Sequence, residues 1–385
     1  MRILVVGGAG LMGEYAVRVL AKDDGVDELI VADRDEIRAR ALSDEVGKKA
    51  RALRLDVSDG VALRDALAGV DVVLSTAGPY YVLGLPVLEA AIETGTHYLD
   101  ICDDWEPTLE MLELDSKARA AGVIAVIGMG ASPGISNLLA LTAMNECDHV
   151  DRVFTAWRAV STEIPRVTAE NPKPRSTAAL EHWVHNCSDP IRVWRDGELV
   201  QSWALEELTL AYPGRGEGTV WVCGHPEPLT LPRSRPEIRE SFNVMSARPG
   251  LLARVKEVAA RVRSGELDVP GACEDLIHNR PPGGEAAGPA PIFPGLFALA
   301  EGRKDGKAIR VSATPLAAPA KNMGEATGIP LAVATLMLVR GELDKPGVHG
   351  PEGAIDPEMF FRELATQFDV TPADGRTVEL LYELA

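Results

Sequence analysis

The stretch that decides the fold is Ile3-Leu4-Val5-Val6-Gly7-Gly8-Ala9-Gly10-Leu11-Met12-Gly13, followed by Glu14 to Ala21 and then by Leu29-Ile30-Val31-Ala32-Asp33. An apolar run, a glycine-rich turn, a helical pattern and a second apolar run ending in an acid is the order of a Rossmann β-α-β unit. Gly8, Gly10 and Gly13 fill the Gly-x-Gly-x-x-Gly pattern. Gly8 is expected to permit the tight turn, Gly10 to let a pyrophosphate reach the backbone, and Gly13 to let helix pack on strand. Leu11 and Met12 lie at the helix start, where free N–H groups and the positive dipole end suit an anion. Asp33 is placed to accept hydrogen bonds from the adenosine ribose hydroxyls. Its carboxylate repels a 2′-phosphate and favours NAD, whereas Arg34 beside it either stacks on adenine or contacts such a phosphate, which keeps NADP open.

Outward from this unit, apolar runs alternate with helical patterns, the rhythm of a parallel sheet with crossover helices. Strands are expected at 3–6, 29–32, 52–55, 70–75, 97–101 and 123–127, and helices at 13–21, 61–67, 86–94 and 107–121. Ligands of such sheets lie outside the carboxyl ends of the strands, which nominates the turns there. Asp56, after the third strand, is either an adenine contact or a helix N-cap or turn aspartate. Ala77, Gly78 and Pro79 are expected under the nicotinamide ribose, with Tyr80 either touching substrate or packing. Asp104 stands with Asp100 and Asp103 in an acidic cluster where like charge and burial raise one carboxylate's pKa; it is either a general base or amine-binding carboxylate or, with Asp103, a cap for the helix near Pro107. Gly128, Gly130, Ser132, Pro133 and Gly134 form a further small-residue turn before a helix.

Beyond about residue 130 the strands alternate polar and apolar residues, and Asp196-Gly197 supplies a hairpin turn. Loops are expected at Glu163–Arg175 and Asn279–Gly295, and helices near 323–338 and 357–367. The reading is therefore α/β: a doubly wound parallel sheet over 1–130, a second domain with a mixed or antiparallel sheet over 131–320, and C-terminal helices over 321–385.

The chain has 385 residues, 46% hydrophobic and 25% charged, which suits two cores rather than one. A net charge of -18 without a basic run argues against nucleic acid and anionic membranes as partners. Five cysteines at 102, 147, 187, 223 and 273 form no Cys-x-x-Cys pair, so neither a zinc site nor a disulfide framework is expected. A strand that starts at Arg2 leaves no room for a signal peptide, and no apolar run approaches the about 20 residues of a membrane helix. The cytoplasm is the expected compartment.

His182 and His185 share a helix face at i and i+3. No further ligand lies nearby in sequence, so no metal is assigned, and His182 stands as a candidate proton carrier. Trp157-Arg158 either holds a substrate carboxylate or packs. Arg233, Arg235 and Arg239 form a basic cluster, and Lys321 is an active-site lysine or a solvated helix-start charge.

Taken together, Gly7 to Gly13, Ala77-Gly78-Pro79-Tyr80 with Gly84 and Val87, Gly95 to Asp100, Gly130 to Asn137, Arg195 to Val200 and Met323 to Gly328 resemble the saccharopine dehydrogenase superfamily, in particular its lysine 6-dehydrogenase and saccharopine reductase branches. The resemblance implies an NAD(P)-dependent dehydrogenase or imine reductase that acts on the C–N bond of an amino acid or imine, as a homodimer. It also implies that 131–320 form an α/β domain for substrate and dimer contacts and that the C-terminal helices of 321–385 return to the first domain, with an amino-acid-like molecule expected between the domains. Two rivals remain: a transferase or lyase that uses tightly held NAD, as homospermidine synthases do, and a non-enzymatic dinucleotide-binding redox sensor. The chain departs from the family at Ile101-Cys102-Asp103-Asp104 and at Ser132.

Overall fold

The computed structural model describes residues 1–160, 164–168, 171, 173–174, 176–279, 288–316, 320–368, 370 and 375–384. Of the two expected loops, residues 163, 169–170, 172, 175 and 280–287 lie outside the described residues. Contacts divide the chain into one unit of Met1–Thr142 with Pro315–Glu379 and another of Ala143–Thr314 with Leu380–Ala385. The first unit thus keeps the turn and most of the helix that follow residue 130, and the chain end is shared rather than returned whole to the first unit.

In the first unit, β1 (Arg2–Val6), β2 (Glu28–Asp33), β3 (Ala50–Arg54), β4 (Val72–Ser75), β5 (His97–Asp100) and β6 (Ile124–Val126) line up in the order 6-5-4-1-2-3. All their pairings are parallel. The doubly wound sheet forms because Ile3, Leu4 and Val5 are covered on both faces and leave no exposed surface. Gly347–His349 adds a seventh parallel strand beside β6. Three residues carry no periodicity, so only pairing with β6 reveals this strand. The helix expected from Pro86 begins at Tyr80 and contains that proline, and the helix expected over 107–121 is two, Trp105–Leu112 and Asp115–Ala121.

The helix Met323–Val339 lies against Gly13–Leu20 because Gly324 and Gly328 carry no side chain there. A Cβ on Gly324 would stand 2.7 Å from the Leu11 carbonyl oxygen, and one on Gly328 would overlap the Met12 carbonyl. Asn322 caps this helix by accepting the Glu325 N–H at 3.0 Å, while Glu325 accepts the Lys321 N–H at 2.7 Å. Lys321 is therefore an exposed helix-start residue.

The second unit is built on a nine-stranded mixed sheet. Its path runs Glu207–Tyr212, Gly216–Cys223, Glu240–Ser246, His149–Arg158, Leu296–Lys304, Lys307–Pro315 and Val378–Leu384, with the hairpin Pro190–Arg195 and Glu198–Trp203 beside Glu240–Ser246. Asp196 (φ 55°) and Gly197 (φ 83°) make the expected tight turn of that hairpin. Beyond the expected strands, the helices Pro249–Arg263 and Val269–His278 help close the core. Buried Arg254 and the partly exposed Arg261 both bind Asp275 and tie these helices together. Among the described residues, no helix is long and apolar enough to cross a membrane.

Asp100 joins β5 to the turn after β6. Its Oδ1 accepts the N–H groups of Cys102 at 3.0 Å and Gly128 at 2.6 Å, its Oδ2 accepts the Tyr98 hydroxyl at 2.7 Å, and its carbonyl accepts the Met129 N–H at 2.7 Å. Burial pushes the carboxyl from 3.8 to about 6, against the pull of the Gly128, Tyr98 and Cys102 donors. A raised pKa means that the folded state binds the proton more tightly. The Asp100 contribution to stability is then greatest below about pH 4 and falls by up to about 3 kcal/mol as pH rises through 6. Denaturant unfolding from pH 4 to 7 should lose this component in Asp100→Asn, whose amide oxygen still accepts both N–H groups and whose NH2 donates to Tyr98. Asp100→Ala should cost about 3 kcal/mol or more at any pH by stranding three donors; a stable Ala variant would show that the carboxylate does not anchor these turns.

Candidate cofactor and active site

The glycine turn occupies the switch point, where the sheet runs from β1 to β2 on one side and to β4 on the other. The left-handed residue of the turn is Gly7 (φ 70°). Gly8 allows close approach: a Cβ there would stand 2.9 Å from the Val5 carbonyl oxygen and 3.0 Å from Val31. A Cβ on Gly13 would overlap the Gly7 carbonyl and lie 2.8 Å from Thr76 Oγ1, so Gly13 seats the helix on the turn. Thr76 fastens β4 to this turn by donating to the carbonyls of Val6 at 2.9 Å and Gly7 at 3.0 Å.

Gly10 is different. Its absent Cβ would meet nothing within contact except the Gly7 carbonyl oxygen at 3.0 Å, so the side-chain position opens on free space. Met12, at the N-cap of Gly13–Leu20, supplies no side-chain acceptor to the first-turn N–H groups. An open glycine cradle under an uncapped helix start fits a dinucleotide pyrophosphate. Asp33, at the end of β2, accepts the Ala9 N–H at 3.2 Å and the Asp35 N–H at 3.0 Å, which aims its carboxylate along the turn. Arg34 is exposed. Asp56 is turned back on its own loop: Ser58 Oγ donates to it at 2.7 Å and holds its carboxyl below the usual range, with help from the Ser58 N–H and Arg34. The helix cap beside it is Asp59, which accepts from Val61 and Ala62.

The turns after β4, β5 and β6 complete the same edge. Ala77, Gly78 and Pro79 lead from β4 into the helix Tyr80–Thr94. Tyr80 is a core residue, 7% exposed, whose hydroxyl donates to the Ser75 carbonyl at 2.7 Å; burial raises its pKa far above the usual phenol. It is packed in the core, with its hydroxyl bonded to the backbone. Asp104 is 4% exposed and has the extended backbone of an N-cap, yet its side chain makes no cap bond to Trp105–Leu112. Its carbonyl accepts the Thr108 hydroxyl at 2.8 Å. The cap reading is therefore removed for Asp104, while Asp100, the carboxyl whose pKa is raised to about 6, is enclosed. After β6, Gly134 donates to Asn137 Oδ1 at 2.9 Å, and Asn137 donates to buried Glu352 at 2.8 Å. Glu352 bears no motif, and only the fold brings it to this turn.

The other nominated residues lie in the second unit. The Asn186 amide nitrogen is 2.8 Å from His182 Nε2, and the His182 ring centroid is 5.4 Å from that of His225. His185 lies 2.8 Å from Asp189. The Trp157 indole N–H donates to Asn243 at 3.0 Å, and Arg158 donates to the Phe293 carbonyl, so each is bound to protein. Arg235 reaches Asn145 and Arg239 reaches Asp196, which resolves that basic cluster into separate contacts. His225, Glu227 and Asn243 gave no signal in the sequence beyond two prolines around Glu227.

Residues 3–126 match the family model of the saccharopine dehydrogenase NADP binding domain. Over 397 aligned residues the chain is 26% identical to carboxyaminopropylagmatine dehydrogenase of Synechocystis sp., covering 94% of this chain and 95% of that one. Apo saccharopine dehydrogenase (L-Glu forming) of Saccharomyces cerevisiae superposes with a TM-score of 0.63 at 17% identity, covering 99% of both chains. Homospermidine synthase of Legionella pneumophila, solved in complex with NAD, superposes with a TM-score of 0.60 at 13% identity, covering 100% of this chain and 91% of that one. Residues 3–126 thus resemble that NADP binding domain, and the chain as a whole shares the fold of these two solved structures.

Proposed function

We propose that the protein is an NAD(P)-dependent oxidoreductase acting on the C–N bond of an amino acid or an imine. The observation that carries this reading is the open Gly10 cradle at the switch point of a saccharopine dehydrogenase-type domain. Similarity along almost the full chain to a dehydrogenase of an aminopropyl compound supports a small substrate bearing nitrogen. Bound nicotinamide supplies a two-electron hydride acceptor or donor. The Gly7–Gly13 backbone and the first-turn N–H groups hold its pyrophosphate, Asp33 holds the adenosine ribose and favours NAD, and Ala77 to Pro79 run beneath the nicotinamide ribose. Asp104, a carboxylate not spent on capping, pairs with a substrate ammonium. A homodimer in the cytoplasm is the proposed setting, without nucleic acid as a partner.

The direct test is to supply the purified protein with NAD or NADP and a panel of amines and amino acids, and to follow reduced nicotinamide by absorbance. Net release supports a dehydrogenase. Amine conversion without net release would point to tightly held NAD used in a transfer reaction, and dinucleotide binding without any conversion would point to a sensor.

Three substitutions probe the parts. Gly10→Val fills the cradle and should weaken dinucleotide binding at least about 100-fold by calorimetry while the second unit stays folded; unchanged affinity would move the pyrophosphate elsewhere. Asp33→Ser removes the ribose acceptor and the negative charge, so the ratio of NAD to NADP affinity should fall, and a wild type that prefers NADP would show that Arg34 dominates. Asp104→Asn should cost about 100-fold or more in turnover with little change in dinucleotide affinity. Near-normal turnover would remove Asp104 from the chemistry.

A further inference from the structure

The strands of the second unit bring three arginines to one end of their sheet. Arg158 closes His149–Arg158 and pairs in register with Ser246, the last residue of Glu240–Ser246, so Arg248 stands two residues beyond that pairing. Gly216–Cys223 runs antiparallel to Glu240–Ser246, which brings Arg215, in the turn before it, to the same end. The segment entering the antiparallel strand Leu296–Lys304 crosses here too, and its carbonyls take guanidinium donors. Arg158 Nη2 donates to Phe293, and Arg215 Nη1 donates to Ile292 at 3.1 Å. Arg248 Nη1 donates to the Gly288 carbonyl at 2.8 Å.

These acceptors are neutral and balance no charge. Among the described residues neither Arg158 nor Arg215 stands in an ion pair, although the chain carries a net charge of -18. Elsewhere in the same unit arginines meet carboxylates, as Arg254 and Arg261 do at Asp275. Arg158 is half-buried, and its Nε is shut off from water without an acceptor. Burial first, then the charges of Arg215 and Arg248, pull its guanidinium below the ordinary arginine range. Arg215 and Arg248 are exposed, so solvent reaches the cluster from their side. Arg215 lies over the Tyr212 ring, 5.8 Å from its centroid, which fixes its direction.

A second feature carries the same sign. Arg248 is the N-cap residue of the 15-residue helix Pro249–Arg263, supplies no side-chain acceptor to it, and precedes a first turn without an acid. A cation at that end opposes the helix dipole, whereas an anion is stabilised there by the dipole and by the first-turn N–H groups.

We infer that Arg158, Arg215, Arg248 and the start of Pro249–Arg263 form a binding site for a small oxyanion with two or more negative charges, a phosphate or a dicarboxylate. Guanidinium forks match the paired oxygens of both groups. The two exposed arginines grip the ligand, and Arg158 behind them adds a charge that protein leaves unbalanced. All of these residues belong to the second unit, and the site does not depend on the oxidoreductase reading.

The test is calorimetry at low ionic strength on the full chain, with inorganic phosphate, succinate and acetate as probes. Every protein used carries Gly10→Val, so that phosphate taken up by the glycine cradle does not count. Phosphate or succinate should bind once per chain and raise Tm, and acetate, with a single charge, should bind at least about 10-fold more weakly. Tighter phosphate assigns the site to phosphate esters, and tighter succinate to dicarboxylic acids. Arg158→Met and Arg215→Ala should each weaken the dianion about 10-fold or more. Arg239→Ala, which removes an exposed arginine paired with Asp196, should leave affinity unchanged. If Arg158→Met does not fold, the exposed Arg215 decides alone. Absence of binding by both dianions, acetate as tight as succinate, or unchanged affinity in Arg215→Ala would overturn the site and leave the nicotinamide assay of the proposed function untouched.

Discussion

The first unit depends on a steric constraint: three glycines must carry no side chain where the chain leaves β1. The turn passes so close to β2, β4 and its own helix that a Cβ at Gly7, Gly8 or Gly13 would press on backbone or on a buried side chain. Gly7 also needs a left-handed backbone, which an L side chain resists. The constraint is shared by the helix Met323–Val339, which reaches the same helix start through Gly324 and Gly328. A segment more than three hundred residues away in sequence is thereby packed on the start of the helix that follows the glycine turn.

The carboxyl edge of the sheet is held by buried polar groups rather than by apolar packing alone. Asp100 gathers donors from β5 and from the turn after β6, and Asn137 links that turn to Glu352. Buried hydrogen bonds of this kind cost desolvation but have few alternative partners, so they specify one backbone path where a ligand needs it. The second unit follows the same logic around Asn243, which gathers Trp157, Thr155 and Glu227 on one amide.

These networks separate residues that look equivalent in sequence. Asp100 and Asp104 are both buried acids after an apolar run, yet one is enclosed by backbone donors and the other leaves its helix uncapped. Tyr80 and Tyr81 are neighbours, but the first points into the core while the second is 65% exposed. A helix places successive residues on different faces, and that rotation depends on where the helix begins. Its start at Tyr80 rather than Pro86 is a tertiary outcome.

By itself the sequence determined the parallel sheet, the glycine turn, Asp33 and the Asp196-Gly197 hairpin, because each is encoded by neighbours within a few residues through periodicity or backbone freedom. It also carried enough ordered motifs to point to the saccharopine dehydrogenase superfamily. Tertiary structure alone decided the strand Gly347–His349, the partnership of Asn137 with Glu352, the enclosure of Asp100 and Tyr80, and the cluster of His225, Glu227 and Asn243. Those features rest on contacts between residues far apart in the chain. Burial, and the pKa shift it causes, is a property of what surrounds a side chain in space, and no local pattern of residues records it.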